Sequence, residues 1–247
     1  MNKTDISILQ QIINKSKKIV FFGGAGVSTE SGIPDFRSVD GIYHQKWKFP
    51  PEQIISHSFF YANTPEFFRF YRAKLLPQGI NPNAAHYKLT ELEESGKLLA
   101  IITQNIDGLH QMAGSKNVLE LHGSTRRNYC LKCHEFYDEK IIIESEKNPD
   151  KLPYCTKCGG LIKPDVVLYE EGLDHFVIEK SINAIKEADT LIIGGTSLTV
   201  YPAAGLIDYF RGENLILINK TSTPQDRMAD LVIHEPIGEV LSQIKIE

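Results

Sequence analysis

Phe21-Phe-Gly-Gly-Ala-Gly-Val-Ser-Thr-Glu-Ser-Gly-Ile-Pro-Asp-Phe-Arg-Ser38 follows directly on an apolar run, Lys18-Ile-Val-Phe-Phe22. The shortness, β-branched content and glycine boundary of that run suit a buried parallel strand better than a helix. The glycines therefore fall at the carboxyl end of a strand. Gly24 and Gly26 lack a Cβ, so the chain can turn sharply there and a phosphate can approach main-chain N–H groups at a following helix start. Thr29 stands where the dinucleotide fingerprint has its third glycine, and alone the turn is equally a connection that binds nothing. The adjoining loop is more specific. Ser31-Gly-Ile-Pro-Asp-Phe-Arg37 packs a turn, an acid, an aromatic ring and a guanidinium into a few residues, a combination suited to folding over a charged ligand.

Outward from this stretch, helix-like and strand-like segments alternate. Ile6, Leu9, Ile12 and Ile13 recur at helical spacing before the first strand. Pro82-Asn-Ala-Ala-His86 opens a helix that Gly96 stops, and Leu98–Thr103 reads as a second buried strand. Phe176–Ala188 is an amphipathic helix, Asp189–Gly195 and Asn214–Asn219 are further buried strands, Asp230–His234 is a short last strand, and Gly238–Ile244 closes with a helix. A helix is also expected at Pro202. This alternation predicts an α/β fold with a doubly wound parallel sheet, and open sheets of that kind bind ligands outside the carboxyl ends of their strands. Three such ends carry polar or small residues: Thr103-Gln-Asn-Ile-Asp107, Gly195-Thr-Ser197 and Asn219-Lys220.

Two segments interrupt the alternation. From Val39 to Asn81 the chain is rich in aromatics and broken by prolines, which reads as a small helical cluster with its own apolar centre. The four cysteines of the chain form two C-x-x-C knuckles, Cys130/Cys133 and Cys155/Cys158, with 21 residues between the pairs. Four thiolates so spaced can surround one zinc ion; a redox pair or disulfides are the rival, less suited to a paired pattern in a cytosolic chain. With every coordination place taken by sulfur, such a zinc is structural. A hydrophobic share of 42% and a formal charge of −4 over 247 residues describe a globular protein without the basic footprint of nucleic-acid binding. No apolar run reaches the roughly 18 residues of a membrane helix, so neither membrane nor nucleic acid is an expected partner and a cytoplasmic location is expected.

On Gly24–Ser28, Ser31–Arg37, Gln104-Asn-Ile-Asp107 and His122-Gly123 the sequence resembles the sirtuin family over nearly the whole chain. The resemblance implies a Rossmann-like NAD-binding domain of residues 1–40, 81–125 and 164–247, and a smaller lobe made of the helical insertion 41–80 and a zinc module 126–163. It implies an NAD-dependent protein lysine deacylase. The acyl oxygen attacks the nicotinamide ribose, nicotinamide leaves, and His122 deprotonates a ribose hydroxyl, giving free lysine, nicotinamide and O-acyl-ADP-ribose. Carried over onto this sequence, Asn105, Asp107 and His122 are catalytic. Gly24, Ala25, Gly26, Thr29, Phe36, Arg37, Gln104, Ile106, Gly195, Thr196, Ser197, Asn219, Lys220 and Ile237 join Asn105 and Asp107 around NAD. An acyl-lysine peptide would lie as an added strand near Val166-Val167 and Val200. The chain departs from type at Glu170, where glycine is usual, and at Leu168-Tyr169, which replace a phenylalanine pair. Tyr71 and Lys74 echo a Tyr-x-x-Arg pair of relatives that prefer acidic acyl groups, too loosely to assign that preference. ADP-ribosyl transfer or NAD hydrolysis from the same cleft is the nearest alternative activity. An NAD-sensing module and a dehydrogenase are further alternatives, the latter disfavoured because the fingerprint glycine and the ribose-binding acid are both absent.

Overall fold

The computed structural model describes residues 3–38 and 40–246; Val39, at the expected start of the aromatic segment, and Met1, Asn2 and Glu247 lie outside them. Its centre is strand β1 (Ile19–Gly23), fully buried along its length. Of its consecutive side chains, Phe21 packs with Leu9, Leu89 and Val240, whereas Val20 and Phe22 pack with Ile185, Leu191 and Leu206. Both faces of the sheet are thus covered, which is why the sequence there is continuously apolar and not alternating. Around β1 run β2 (Leu98–Thr103), β3 (Val118–Glu120) and, later in the chain, the remaining strands of two sheets. β4 (Gly123–Cys130), β5 (Phe136–Tyr137) and β6 (Ile162–Val166) form an antiparallel sheet in the order β5-β4-β6. β7 (Thr190–Gly194), β8 (Asn214–Ile218) and β9 (Leu231–Ile233) complete a six-stranded parallel sheet in the order β3-β2-β1-β7-β8-β9.

The helices are α1 (Lys3–Lys15), α2 (Pro51–Ile54), α3 (His57–Ala62), α4 (Thr64–Phe70), α5 (Ala84–Glu94), α6 (Leu109–Ala113), α7 (Lys140–Glu144), α8 (His175–Glu187) and α9 (Ile237–Leu241). Their ends follow local chemistry. Asn83 caps α5 by accepting from Ala85 N at 3.0 Å, while His86 Nδ1 reaches back to Asn83 N, and Gly96 at φ +75° ends the turn after it. Asp174 caps α8 through Phe176 N and Val177 N. Beyond Pro202 the chain forms a 3₁₀ helix (Ala203–Tyr209), tighter than the helix expected there. β3, α6 and most of β4 were not expected; these segments are short or carry polar residues, so periodicity does not mark them. β6 ends at Val166, after which Tyr169 forms an isolated parallel bridge to Ser56.

A third hydrophobic cluster joins the two insertions. Phe60, Phe67, Phe68, Phe70 and Tyr71 pack with Ile142, Ile162 and Leu168, so the aromatic segment and the cysteine segment share one core. Edge-to-face pairs such as Phe60–Phe67, with centroids 4.9 Å apart, account for the aromatic density. Among the described residues no helix is long and apolar enough to cross a membrane.

Candidate active site

In the parallel sheet, chain order reverses between β1 and β7: connections after β1 lead to β2 and β3 on one side, while β7, β8 and β9 build the other. Loops leaving the carboxyl ends of these two strands must separate, and a crevice opens between them. A cleft of about 1210 Å³ lies there, continued between the sheet and the shared core of the insertions. All the residues assigned above to NAD and catalysis line it, from Gly24 and Phe36 through Gln104, Asp107 and His122 to Thr196, Lys220 and Ile237, as do Val166, Val167 and Val200.

The floor is made by two glycine turns pressed together. A Cβ on Gly24 would stand 2.8 Å from Thr196 Cβ, and one on Gly26 would stand 2.8 Å from Gly195 Cα. Gly195 itself has φ +60° and would overlap the Val27 main chain. The missing Cβ atoms therefore let the two turns close on each other, and Gly24, Gly26 and Gly195 line the cleft there with main chain, the arrangement a pyrophosphate needs. Gln104 Nε2 donates to Thr196 Oγ1 at 3.0 Å. Asn219 accepts from Thr196 N and donates to Thr196 O, both at 2.9 Å, so its amide holds the second turn in place. That two-point clasp explains an amide at the end of β8 where a dehydrogenase would carry an acid.

Deeper in the cleft, Ser28 sits between two predicted catalytic side chains. Its hydroxyl donates to Asp107 Oδ2 at 2.7 Å and accepts from Asn105 Nδ2 at 3.1 Å, while Asp107 Oδ1 accepts from Leu109 N at 2.9 Å. Burial pushes the Asp107 carboxyl up, opposed by these two hydrogen bonds. Ser28 was missing from the sequence assignment although it closes the Gly24–Ser28 run; only the fold brings it against Asn105 and Asp107.

His122 ends the link from β3 to β4. Its Nδ1 lies 2.9 Å from Gln104 O, and because a carbonyl can only accept, Nδ1 carries the proton and Nε2 carries the lone pair. Burial lowers its pKa, partly offset by the Gln104 bond, so the ring is neutral and competent as a base near neutral pH. Gly123 follows at φ +75°, and a Cβ there would overlap the Asp165 carbonyl. The glycine after the histidine is required because β4 crosses onto β6 at that point. Val167 N donates to His122 O at 2.9 Å, which ties the predicted peptide edge to the base.

Glu170 has a left-handed backbone, with φ +74°, at a cost of order 1 kcal/mol. Its carboxylate accepts from Ser58 N at 2.9 Å and Ser58 Oγ at 3.0 Å, which holds the strained residue against the start of α3. Tyr71 opens a π-helical turn, Tyr71–Leu75, with its hydroxyl fully buried and without a hydrogen-bond partner among the described residues, whereas Lys74 reaches the cleft.

Away from the cleft, the four cysteine sulfurs lie within 4.8 Å of one another, with Cys130–Cys158 at 3.4 Å, Cys133–Cys155 at 3.6 Å and Cys133–Cys158 at 3.3 Å. Tetrahedral sulfurs about 2.3 Å from a zinc ion stand roughly 3.8 Å apart, so the set fits one zinc ion. Lys132 N and Cys133 N point at Cys130 Sγ, and Tyr137 Oη donates to Cys155 Sγ at 3.2 Å, donors that suit thiolates.

Fold and cleft define a nucleotide-binding α/β protein with a cysteine-bound metal arm. Residues 24–202 match the Sir2 family model. The sequence is 64% identical over 242 residues to an NAD-dependent protein deacetylase of Clostridium perfringens, covering 97% of this chain and 98% of that one. It is 60% identical over 241 residues to an NAD-dependent protein deacetylase of Clostridium acetobutylicum, covering 97% of each. A solved Sir2 structure with a deacetylated p53 peptide and 3′-O-acetyl ADP-ribose superposes with a TM-score of 0.88 at 37% identity, covering 96% of this chain and 95% of that one. The chain belongs to the Sir2 family.

Proposed function

We propose that this protein is an NAD-dependent protein lysine deacylase that acts in the cytoplasm, where cysteines stay reduced and its four can hold zinc. The acyl group passes from lysine to the ADP-ribose of NAD, with one water consumed, to give free lysine, nicotinamide and O-acyl-ADP-ribose. The observation that carries this reading is the placing of His122, with its proton fixed on Nδ1 by Gln104 O, in the same cleft as the paired glycine turns. NAD is the co-substrate, and the main-chain floor where the Gly24, Gly26 and Gly195 turns meet suits its pyrophosphate.

Each group has a task set by its surroundings. Ala25, Thr29, Thr196, Ser197, Lys220 and Ile237 line the nucleotide half, and Asn219 keeps the Thr196 turn in shape. Asp107, oriented by Ser28 and by Leu109 N, holds the nicotinamide amide together with the Ile106 main chain; Asn105 serves the ribose. Phe36 and Ile106 are apolar cover against water at the reacting carbon. Nε2 of His122 takes the ribose hydroxyl proton. Val166 and Val167 on one side and Val200 on the other receive the acyl-lysine peptide as an extended strand. Zinc at Cys130, Cys133, Cys155 and Cys158 stabilises the β4–β6 sheet and takes no part in the reaction. The domain limits 1–40, 81–125 and 164–247, with 41–80 and 126–163 as the small lobe, belong to the same reading. The joint packing of the two insertions supports it.

Mass spectrometry of the protein with NAD and a panel of acetyl-, succinyl- and long-chain acyl-lysine peptides tests it. Acyl loss that requires NAD, with O-acyl-ADP-ribose appearing, is expected. Nicotinamide release from peptides that stay acylated would put ADP-ribosyl transfer or NAD hydrolysis in its place.

A further inference from the structure

Two walls of the cleft come from segments distant in sequence. One is the loop carrying Phe36 and Arg37, folded on itself by Ile42 N to Asp35 O at 2.8 Å and Tyr43 N to Phe36 O at 3.0 Å, with Asp35 Oδ1 accepting from Arg37 N and Ser38 N. The other is the edge that continues from β6 through Val167 to Glu171. Tyr169 on that edge is held by its main chain to the helical insertion, donating to Ile55 O at 3.0 Å and accepting from His57 N at 2.9 Å. Glu170 and Glu171 reinforce this hold: Glu170 through Ser58, Glu171 through His57 Nδ1 at 2.9 Å and Lys163 Nζ at 3.2 Å. The Tyr169 side chain turns the other way. Its hydroxyl meets the Tyr43 hydroxyl at 2.7 Å, and an Arg37 N–H donates toward it at 3.5 Å. The Arg37 guanidinium also lies 5.4 Å from the Tyr43 ring centroid, and the Phe36 and Tyr43 ring centroids are 5.4 Å apart. Burial and the bond to Tyr169 push the Tyr43 pKa up, so the Tyr43 hydroxyl stays neutral at physiological pH.

We infer that the Tyr43–Tyr169 hydroxyl pair is a latch joining the cofactor loop to the peptide edge, which makes Tyr169 a positioning residue for the deacylation proposed above. Edge and loop have independent backbone anchors, and each faces a different substrate. A ligand that orders the edge therefore orders the loop through this pair, and the reverse holds by linkage. A neutral hydrogen bond of this kind supports a coupling of about two- to tenfold in affinity. Removing either hydroxyl removes it without touching His122, Asn105 or Asp107.

The test is calorimetric titration of an acetyl-lysine peptide with and without saturating ADP-ribose, on the wild type, Tyr43→Phe, Tyr169→Phe and the double variant. ADP-ribose is expected to tighten peptide binding to the wild type by about two- to tenfold. Each single variant should bring that ratio close to one, and the double variant should go no further. Amide hydrogen exchange over residues 40–45 should show peptide-induced protection in the wild type that Tyr169→Phe abolishes. An unchanged ratio in Tyr169→Phe, or a wild-type ratio of one, overturns the latch. A wild type that deacylates peptides yet shows no coupling refutes the latch and leaves the activity standing. A wild type that couples the ligands without deacylating supports the latch and refutes the activity.

Discussion

Acidification from pH 7.5 to pH 5.0 should cost this protein about 2 kcal/mol of folding stability through His86 alone. His86 lies at the third position of α5, fully buried, with its ring centroid 4.7 Å from that of His110. Among the described residues His86 Nε2 and both ring nitrogens of His110 lack hydrogen-bond partners, and the one acceptor at His86 Nδ1, Asn83 Oδ1 at 3.0 Å, is neutral and does not offset the burial of an imidazolium. Burial lowers the His86 pKa to about 4, and burial, followed by the neighbouring His86, holds His110 well below its ordinary value. For a base the sign is fixed. The unfolded chain takes up its proton near pH 6.5 while the folded chain refuses it, so stability is complete above about pH 6.5 and falls as the pH drops toward 4. At pH 5 the unfolded imidazole is almost fully charged and the folded one almost fully neutral, and the ratio of the two binding terms gives the stated figure. His86→Gln isolates the effect: a glutamine at this position can still accept from Asn83 N, as capping boxes do, but does not titrate. Urea unfolding of both proteins at the two pH values cancels the carboxylates and the zinc thiolates common to them. The variant should lose about 2 kcal/mol less than the wild type. Equal losses would refute the argument, because His86 would then be hydrated or paired when charged.

Three further outcomes are expected from the site. His122→Ala should lower the deacylation rate by roughly two to four orders of magnitude, with ADP-ribose affinity unchanged by calorimetry; an unaltered rate would take His122 out of the reaction. Cys155→Ala should abolish the single bound zinc seen by metal analysis and unfold the β4–β6 sheet, whereas a folded, zinc-free, active variant would contradict the structural role. Gly195→Ala forces a side chain into a left-handed residue packed on Val27, so it should cost roughly 1–3 kcal/mol, lower the melting temperature by several degrees and weaken ADP-ribose binding. A variant with wild-type melting and binding would show that the two turns are not in contact.

Features that rest on local chemistry can be read from the residues alone. Lys18–Phe22, Leu98–Thr103 and Asn214–Asn219 declare themselves as buried strands because a strand covered on both faces must be apolar throughout. Gly24, Gly26 and the two cysteine knuckles declare themselves because few structures need those residues at that spacing. His122, Asn105 and Asp107 were visible through motifs and needed no distant partner to be noticed. The tertiary structure alone decided the contacts between segments that the sequence does not associate. Ser28 serves Asn105 and Asp107 from 77 and 79 residues away, Asn219 holds the Thr196 turn, and Tyr43 meets Tyr169 across the cleft. β3, Val118–Glu120, was invisible because three half-buried residues show no period; its pairing with β2 gives it strand form. Glu170 was legible only as an oddity until its left-handed backbone and the Ser58 anchor gave the reason. Backbone conformation and long-range hydrogen bonds are set by packing that brings distant segments together, and no local pattern of residue types encodes which of them will meet.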